Sequence, residues 1–371
     1  MDLDRADVVV IGGGVVGLDV VLLDRGIPGW EASGRNGGWA VGLSVNYNRE
    51  EARIPLALEA YRLWPTLEEE LGAPTEFVEG GSLFVALTEE DAWLQDQALE
   101  RCARWGVEAH RLVLKGLREV LPGVTDRALS GVFIPRAGHA NPQLTCQAWV
   151  WALERRGVRV YANTPATGIG VRGGRVARVE TPAGTVATER VVNAAGPWAG
   201  LVAGLVGRFL PVAPVRIEML CTVPVPPLTR ATFGGNGLYC RQALKGHLHF
   251  GGGAAQRVDL RQGAEKPTRS FITRGIARRF VELLPGLGDV PVLRTWAGVI
   301  DRTPDNLPII DRLEEPEGMY VNAGFGGIGF SNSPGAGKAM AELVADGRCS
   351  FDISGLSARR FAGVTSYEPE G

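Results

Sequence analysis

Long apolar runs are missing from this chain of 371 residues. No stretch reaches the roughly 18 consecutive apolar residues that a membrane-spanning helix needs. The best candidate, residues 198–206, is interrupted by glycine and predicts a buried helix. The N-terminus also lacks the pattern of a secretory signal peptide, because four of its first seven residues are charged. We therefore expect a cytoplasmic protein without a transmembrane segment.

Charge and cysteine also exclude several classes of partner. The 39 basic residues nearly balance the 41 acidic ones, so electrostatics gives no reason to expect nucleic acid or an anionic membrane. The five cysteines are scattered without C-x-x-C spacing, which predicts free thiols in a reducing compartment. His247 and His249 share one face of a predicted strand, but no third ligand is near, so we predict no metal site.

Glycine, in contrast, is abundant, with 51 residues against a usual share of about 7%. The most informative glycines follow a β-branched run at 6–11, where residues 12–17 fit G-x-G-x-x-G. Such a turn brings backbone amides close to a pyrophosphate. A second strand-like run, 20–23, ends in Asp24, the usual acceptor for a ribose hydroxyl. Strand, glycines, strand and acid in this order predict dinucleotide binding.

The connection between these two strands is unusually short. Only Leu18 and Asp19 separate Gly17 from Val20, whereas a parallel crossover needs about a dozen residues or more. This spacing predicts an antiparallel hairpin, which would put Asp24 at the end of the sheet away from the glycines. The alternative is a connection that stretches across the end of the sheet. The chain is therefore predicted to lack one helix of about three turns. The cause is either a natural or engineered deletion or a segment omitted from the sequence.

Two further glycine-rich segments are prominent in the sequence. Residues 32–39 combine a helix-capping Ser33 with Arg35 and three glycines, which indicates either a second anion cradle or a solvated turn with a surface arginine. Residues 324–330 follow a buried strand at 319–323, and a helix is predicted to begin at Ser333.

The remaining pattern predicts helices and antiparallel strands. Apolar periodicity indicates helices at 50–72 and 270–285, and Thr88-x-x-Asp91 is the signature of a capping box before another helix. A hairpin is predicted from 237–242 and 246–251, with Tyr239 and Arg241 on one face.

Taken together, eight stretches resemble the FAD-dependent D-amino acid oxidase superfamily, in the branch of sarcosine oxidase, sarcosine oxidase β subunit and D-hydroxyproline dehydrogenases. They occur in family order at 8–17, 20–26, 32–38, 138–142, 191–199, 239–242, 303–311 and 322–330. The resemblance implies a mixed α/β fold, with a Rossmann-like FAD-binding domain that carries a β-meander. The second domain would bind substrate on a mixed or antiparallel sheet with helices. The implied division is 1–48, 136–210 and 290–371 for FAD, and 49–135 and 211–289 for substrate.

The resemblance also implies where FAD lies. Its pyrophosphate would sit over the first glycines, its ribose against the acid after the second strand, and its isoalloxazine at the last glycine loop. The implied cofactor residues are Gly12, Gly14, Gly17, Asp24, Arg25, Ser33, Arg35, Asn36, Gly37, Gly196, Trp198, Gly324, Gly326, Gly327, Ile328, Gly329 and Phe330. Some relatives tether the flavin through a cysteine just before the T-x-D turn. That position is about Gly298 here, so we expect noncovalent FAD.

Two positions depart from monomeric sarcosine oxidases. A lysine that those enzymes place after F-x-G-x-G-F is Ser331 here, and their oxygen-activating lysine aligns best with His249. Tyr239 and Arg241 are the candidate clamp for a substrate carboxylate, because a guanidinium binds a carboxylate bidentately. The alternatives are that Arg241 is a structural ion-pair partner and that His249 is an ordinary strand residue.

The implied reaction is hydride transfer from the C–H next to nitrogen of an amine or amino acid to flavin N5, after which water hydrolyses the imine. The substrate would be a D-amino acid, sarcosine or a hydroxyproline-like compound, and partner subunits or a separate electron acceptor are compatible with the resemblance. One rival hypothesis is a non-catalytic or cofactor-deficient subunit or remnant, because the phosphate-binding helix is missing. An NAD-dependent dehydrogenase is a further rival, but it leaves the segments at 32–38 and 322–330 unexplained.

Overall fold

The computed structural model describes residues 5–12, 19–43, 51–260 and 267–368, and it has the mixed α/β architecture that the sequence predicts. The α-helices in these ranges are α1 (Ala32–Arg35), α2 (Ile54–Leu71), α3 (Glu89–Arg104), α4 (Leu114–Val120), α5 (Pro142–Arg155), α6 (Ala199–Gly204), α7 (Ser270–Leu283) and α8 (Gly329–Asp346). The strands are β1 (Val8–Ile11), β2 (Val20–Leu23), β3 (Trp39–Ala40), β4 (Val78–Glu79), β5 (Ser82–Ala86), β6 (His110–Leu112), β7 (Ser130–Ile134), β8 (Gly138–His139), β9 (Arg159–Tyr161), β10 (Gly168–Arg172), β11 (Arg175–Thr181), β12 (Gly184–Ala187), β13 (Val191–Asn193), β14 (Ala213–Pro224), β15 (Thr232–Gly235), β16 (Leu238–Gln242), β17 (His247–Arg257), β18 (Val292–Arg302), β19 (Ile309–Arg312) and β20 (Met319–Ala323).

A six-stranded sheet in the order β19-β20-β13-β1-β2-β9 forms the nucleotide-binding half of the molecule. All neighbours in it are parallel except β19 and β20. The strands are apolar on both faces because both faces are covered. Val8, Val10 and Leu22 pack into a cluster with α8, whereas Val9 and Val21 pack against the meander β10-β11-β12.

The predicted hairpin between β1 and β2 is wrong, because these strands are parallel and in register from Val8↔Val20 to Ile11↔Leu23. The carboxyl ends of both strands therefore meet at one edge, so Asp24 lies beside Gly12 and not at the far end of the sheet. The return path over a four-residue strand is about 14 Å, and the seven chain steps from Gly12 to Asp19 reach roughly 23 Å when extended. The rule of a dozen residues holds for crossovers that contain a helix, and chain reach alone permits a shorter return. Residues 13–18, with two of the predicted glycines, lie outside the described residues.

An eight-stranded sheet in the order β18-β14-β17-β16-β15-β5-β7-β6 forms the second half. The predicted hairpin is present as antiparallel β16 and β17, and the predicted capping box at Thr88 and Asp91 begins α3. The core of this half includes Phe233, Phe250 and Phe280, with the last two rings stacked at 4.0 Å between centroids. This sheet provides the second surface of the candidate site.

Two elements cross between the halves. Helix α2, from the predicted substrate domain, packs along α8 so closely that a Cβ at Gly335 would come within 2.9 Å of the backbone of Leu56 and Ala60. Strand β18, from the predicted FAD domain, lies in the eight-stranded sheet. The predicted division at 1–48, 136–210 and 290–371 therefore stays a prediction, with these two elements shared across its boundaries.

Three local predictions need correction. Helix α8 begins at Gly329, four residues before the predicted Ser333, and Ser33 lies inside α1 while Glu31 occupies the N-cap. The stretch predicted as a buried helix at 198–206 forms only the short α6, and Leu201 is 44% exposed. In the part of the chain that the structure describes, no helix combines the length and apolarity that spanning a bilayer requires.

Candidate active site

The first part of the site is a cavity of about 700 Å³ at the carboxyl edge of the six-stranded sheet. Ligands of parallel α/β sheets bind at this edge, where neighbouring connections leave in opposite directions. Here the chain leaves β1 towards β2 on one side, and β13 lies on the other. The predicted cofactor residues that line the cavity are Gly12, Asp24, Arg25, Ser33, Gly196, Trp198, Gly329 and Phe330.

Gly12 occupies a position that excludes other residues. Its φ is +92°, and a Cβ there would lie 2.2 Å from the carbonyl oxygen of Ala194. The first glycine of the motif therefore lets β1 and the turn after β13 approach each other closely. The Gly12 amide already donates to the carbonyl of Leu23 at 3.1 Å.

Asp24 and Arg25 follow β2 into the cavity. The Asp24 carboxylate accepts a hydrogen bond from the Gly26 amide at 2.8 Å through one oxygen. Burial is the main reason why the pKa of Asp24 is raised, and the negative charge of Glu31 adds to it. The Arg25 guanidinium lies 4.1 Å from the ring centroid of Trp198, a cation–π contact that closes one side of the cavity.

The segment after α1 runs from the cavity towards the eight-stranded sheet, and its polar groups are largely occupied. Arg35 donates to the carbonyls of Trp30 and Ala297, at 2.9 and 3.3 Å. Asn36 accepts the Gly38 amide at 2.7 Å. These bonds describe a structured turn that joins the two halves. Ser33 lies at the cavity wall, and the predicted anion cradle at 32–39 stays a prediction.

The last glycine loop follows β20 and is held by a residue that sequence reasoning missed. The buried Asp301 on β18 accepts the amide of Gly324 at 2.6 Å through its side chain, and its carbonyl accepts the amide of Gly326 at 2.7 Å. Burial raises the pKa of Asp301, while the backbone amides of the loop act in the opposite direction. Ser331, at the position of the sarcosine oxidase lysine, donates to and accepts from the backbone of Val41 and so has a structural contact.

The second part of the site lies on the eight-stranded sheet, where Arg241 meets the glycine segment. Arg241 is only 3% exposed, and its Nε donates to the carbonyl of Gly37 at 2.6 Å. A Cβ at Gly38, whose φ is +77°, would lie 2.7 Å from that Nε. No ion pair of Arg241 occurs among the described residues, and burial lowers the pKa of its guanidinium to about 10. This evidence disfavours the alternative that Arg241 is a structural ion-pair partner.

His249 and Tyr239 lie on the same face as Arg241. Arg241 and His249 are direct cross-strand partners, and Tyr239 lies two residues from Arg241 on β16. His249 approaches the Cys221 thiol at 3.6 Å and contacts the Trp296 ring at 5.8 Å between centroids. Desolvation, and then the charge of Arg241, lowers the pKa of His249 to about 3, so the imidazole is neutral at physiological pH.

The structure thus brings together the three predicted catalytic residues and, separately, the cavity-lining set. Gly324, Gly326, Gly327 and Ile328 form the loop at the end of β20, outside the cavity wall. Sequence reasoning missed Cys221 and Trp296 in addition to Asp301. The extended character of these two segments is predictable from the sequence, but their strand partners are not. In the described ranges no three His, Cys, Asp or Glu side chains converge as a metal site would require.

Comparison with known proteins agrees with this geometry. The family described as FAD dependent oxidoreductase (DAO) matches residues 7–343. Glycine oxidase of Geobacillus kaustophilus is 29% identical over 385 aligned residues, which cover 98% of this chain and 99% of that protein. Sarcosine oxidase subunit beta of an Arthrobacter species is 28% identical over 376 aligned residues, which cover 96% of this chain and 91% of that protein.

Solved structures give the same result. L-proline dehydrogenase from P. horikoshii superposes with a TM-score of 0.89 at 25% identity, covering 97% of this chain and 98% of the other. Glycine oxidase from Geobacillus kaustophilus also superposes with a TM-score of 0.89, at 26% identity, covering 96% of this chain and 99% of the other.

The residues at the carboxyl edge fit the cofactor of this family. Gly12 lines the cavity without a side chain, Asp24 keeps one carboxylate oxygen beyond its bond to Gly26 for a ribose hydroxyl, and the loop held by Asp301 leads into α8. The chain therefore belongs to the DAO family of FAD-dependent oxidoreductases, uses FAD, and acts on amino acids or amines.

Proposed function

We propose that this protein oxidises the C–N bond of an amino acid, either a secondary amine such as sarcosine or a hydroxyproline-like compound, or a D-amino acid. Arg241 carries the proposal. A buried guanidinium without an acidic partner is costly, and a substrate carboxylate would offset that cost. The names of the relatives, glycine oxidase and sarcosine oxidase subunit beta, are consistent with a small amino-acid substrate.

Arg241 is oriented for this role by its own contacts. The bond from Nε to Gly37 fixes one edge of the guanidinium, and its terminal nitrogens have no hydrogen-bond partner within the described residues. Those nitrogens are the pair that binds a carboxylate bidentately. Tyr239, on the same face, contacts the position where a Gly37 side chain would lie, at 3.1 Å. It would border the carboxylate site.

His249 is proposed to order the substrate next to Arg241. Its low pKa makes it neutral, so it neither repels an ammonium group nor competes with Arg241 for the carboxylate. The neighbouring Trp296 is fixed by the bond from its Nε1 to the Arg35 carbonyl at 2.8 Å. Together these rings would exclude water from one side of the substrate.

The redox chemistry that FAD would supply is acceptance of a hydride from the carbon next to nitrogen, after which water would hydrolyse the imine. The residues that would hold it, noncovalently, are the predicted set at the sheet edge and in the loop after β20. The protein binds the carboxylate at Arg241, aligns the reacting carbon and limits solvent access.

A cofactor-deficient subunit or remnant is the second candidate function. The specific observation that favours it is the connection of six residues between Gly12 and Asp19, which is too short for a phosphate-binding helix of three turns. The visible spectrum of the purified protein separates the two, because flavin bands support the enzyme and a colourless protein that does not take up FAD supports the remnant.

The experiment that tests the enzyme is the anaerobic bleaching of protein-bound flavin by a panel of secondary and D-amino acids. Arg241→Gln is expected to weaken reduction by at least about 100-fold in kcat/KM, with partial recovery in Arg241→Lys. His249→Ala should lower kcat/KM as well. Arg274→Gln on α7, an exposed arginine, is the matched control. Unchanged turnover and affinity in both Arg241→Gln and His249→Ala would contradict the assignment.

A further inference from the structure

A row of four side chains crosses the sheet at the substrate face. Arg241 pairs with His249, His249 with Cys221, and Cys221 with Arg294, each across one antiparallel ladder. Directly opposed residues of antiparallel strands project to the same side. The row therefore starts with the proposed carboxylate clamp on β16 and ends with a second arginine on β18.

Arg294 is close enough to act on the centre of this row. Its guanidinium lies 5.0 Å from the ring centroid of Trp296, which in turn contacts His249. Burial is the largest cause of the lowered pKa of His249, and the charges of Arg241 and Arg294 add to it. Burial raises the pKa of Cys221, and the same two charges only partly oppose that rise. The charges of two arginines thus act on the same neutral imidazole.

Neither cation is neutralised by an acid in the part of the chain that the structure describes, where Arg241 is buried and Arg294 is exposed to solvent. The salt bridges there include neither Arg241 nor Arg294. Glu76 is the acid whose charge reaches Arg241, and it is hydrogen-bonded to Asn141 at 3.0 Å. The backbones of the two arginines are three strand spacings apart, about 14 Å, a distance that two arginine side chains and a dicarboxylate between them can span.

We propose that Arg294 binds a second carboxylate, so that the preferred substrates are amino acids with an acidic side chain or an acidic N-substituent. This inference rests on the proposed function, because it requires the first carboxylate at Arg241. The chemistry favours an anion over a neutral polar group, since a guanidinium bonds more strongly to a carboxylate than to an amide. The Trp296 face holds the guanidinium in place without neutralising it.

Matched substrates test the proposal. Aspartate and glutamate, of both hands and with and without N-methylation, are compared with asparagine and glutamine, which have the same shape without the charge. The ratio of kcat/KM for acid over amide is expected to be about 10 to 100 in the wild-type holoenzyme. It should fall towards one in Arg294→Gln, largely recover in Arg294→Lys, and stay unchanged in the control Arg274→Gln.

A binding measurement keeps the proposal testable without turnover. Calorimetric titration compares glutarate with pentanoate, which has the same number of carbons and one carboxylate. Glutarate should bind more tightly to the wild type by at least about tenfold, and Arg294→Gln should remove the difference. Equal binding of the two acids, or an acid-to-amide ratio that Arg294→Gln leaves unchanged, would overturn the inference. Turnover that survives Arg241→Gln would instead contradict the proposed function, which separates the two failures.

Discussion

Insertion of an amphipathic helix of about 12 residues after Leu18 is expected to raise the affinity of this protein for FAD. Only residues 13–18 separate Gly12 from Asp19, whereas three helical turns need roughly 11 residues. An inserted helix would bring N-terminal amides and a positive dipole end to the carboxyl edge of the sheet. Since β1 and β2 are already parallel, neither strand has to reverse.

The magnitude follows from the backbone donors at this edge. The Gly12 amide already donates to Leu23, and the Gly38 amide to Asn36, so neither reaches a phosphate without losing a bond. A helix N-terminus would add two or three charge-assisted hydrogen bonds, each contributing roughly 1.5–3 kcal/mol. The lower limit, about 3 kcal/mol, corresponds to a Kd lower by roughly 100-fold.

The cavity also offers an apolar wall for the inserted helix. Leu63 and Leu67 of α2, and Trp149 and Leu153 of α5, line it. An insert with leucines at i, i+3, i+4 and i+7 would bury this wall and should also raise the free energy of unfolding.

The assay is a titration of flavin-free protein with FAD, followed by flavin fluorescence and checked by equilibrium dialysis. A glycine–serine insert of the same length is the control, because it lengthens the connection without supplying a helix. The reasoning is refuted if the chain without any insert, shown intact by mass, binds FAD stoichiometrically and as tightly as the helix-containing variant.

Three further predictions concern stability and the cofactor link. Glu59 bonds Lys338 at 2.7 Å between α2 and α8, and its pKa is lowered to about 2, first by Arg62 and then by that lysine. A carboxyl group with a lowered pKa stabilises the fold above its unfolded pKa of about 4.5, and this stabilisation is lost as the pH falls towards 2. Glu59→Gln should therefore lower the free energy of unfolding in urea by about 1–2 kcal/mol at pH 7 and by little near pH 2. A difference between variant and wild type that stays constant with pH would contradict this. Asp301→Ala leaves the buried Gly324 amide without its acceptor, so we expect a loss of about 1–3 kcal/mol and weaker FAD binding, with Asp301→Asn closer to wild type. Acid precipitation should release all flavin into the supernatant, since no cysteine occupies position 298, and colour in the pellet would argue for a covalent bond.

The sequence alone determined the features that depend on neighbours along the chain. The β-branched runs of β1 and β13, the capping box at Thr88 and the apolar stripe of α2 each follow from local pattern and turn chemistry. Glycine segments in a fixed order were specific enough to predict the family, the cofactor and the mixed α/β fold. Tyr239, Arg241 and His249 could be assigned to one face because a hairpin of adjacent strands sets its own register.

Only the tertiary structure decided what depends on distant pairing. The direction of β2 relative to β1 was predicted wrongly, because loop length restricts a connection but does not choose between an extended return and a hairpin. Cys221 came into the row of Arg241 through the pairing of β14 with β17. Arg294 came into it through the pairing of β18 with β14, which joins residues 70 or more apart in the chain. The sequence also could not reveal which backbone amides at the sheet edge already donate a hydrogen bond. Partners such as the Leu23 carbonyl for the Gly12 amide are fixed by packing and not by distance along the chain.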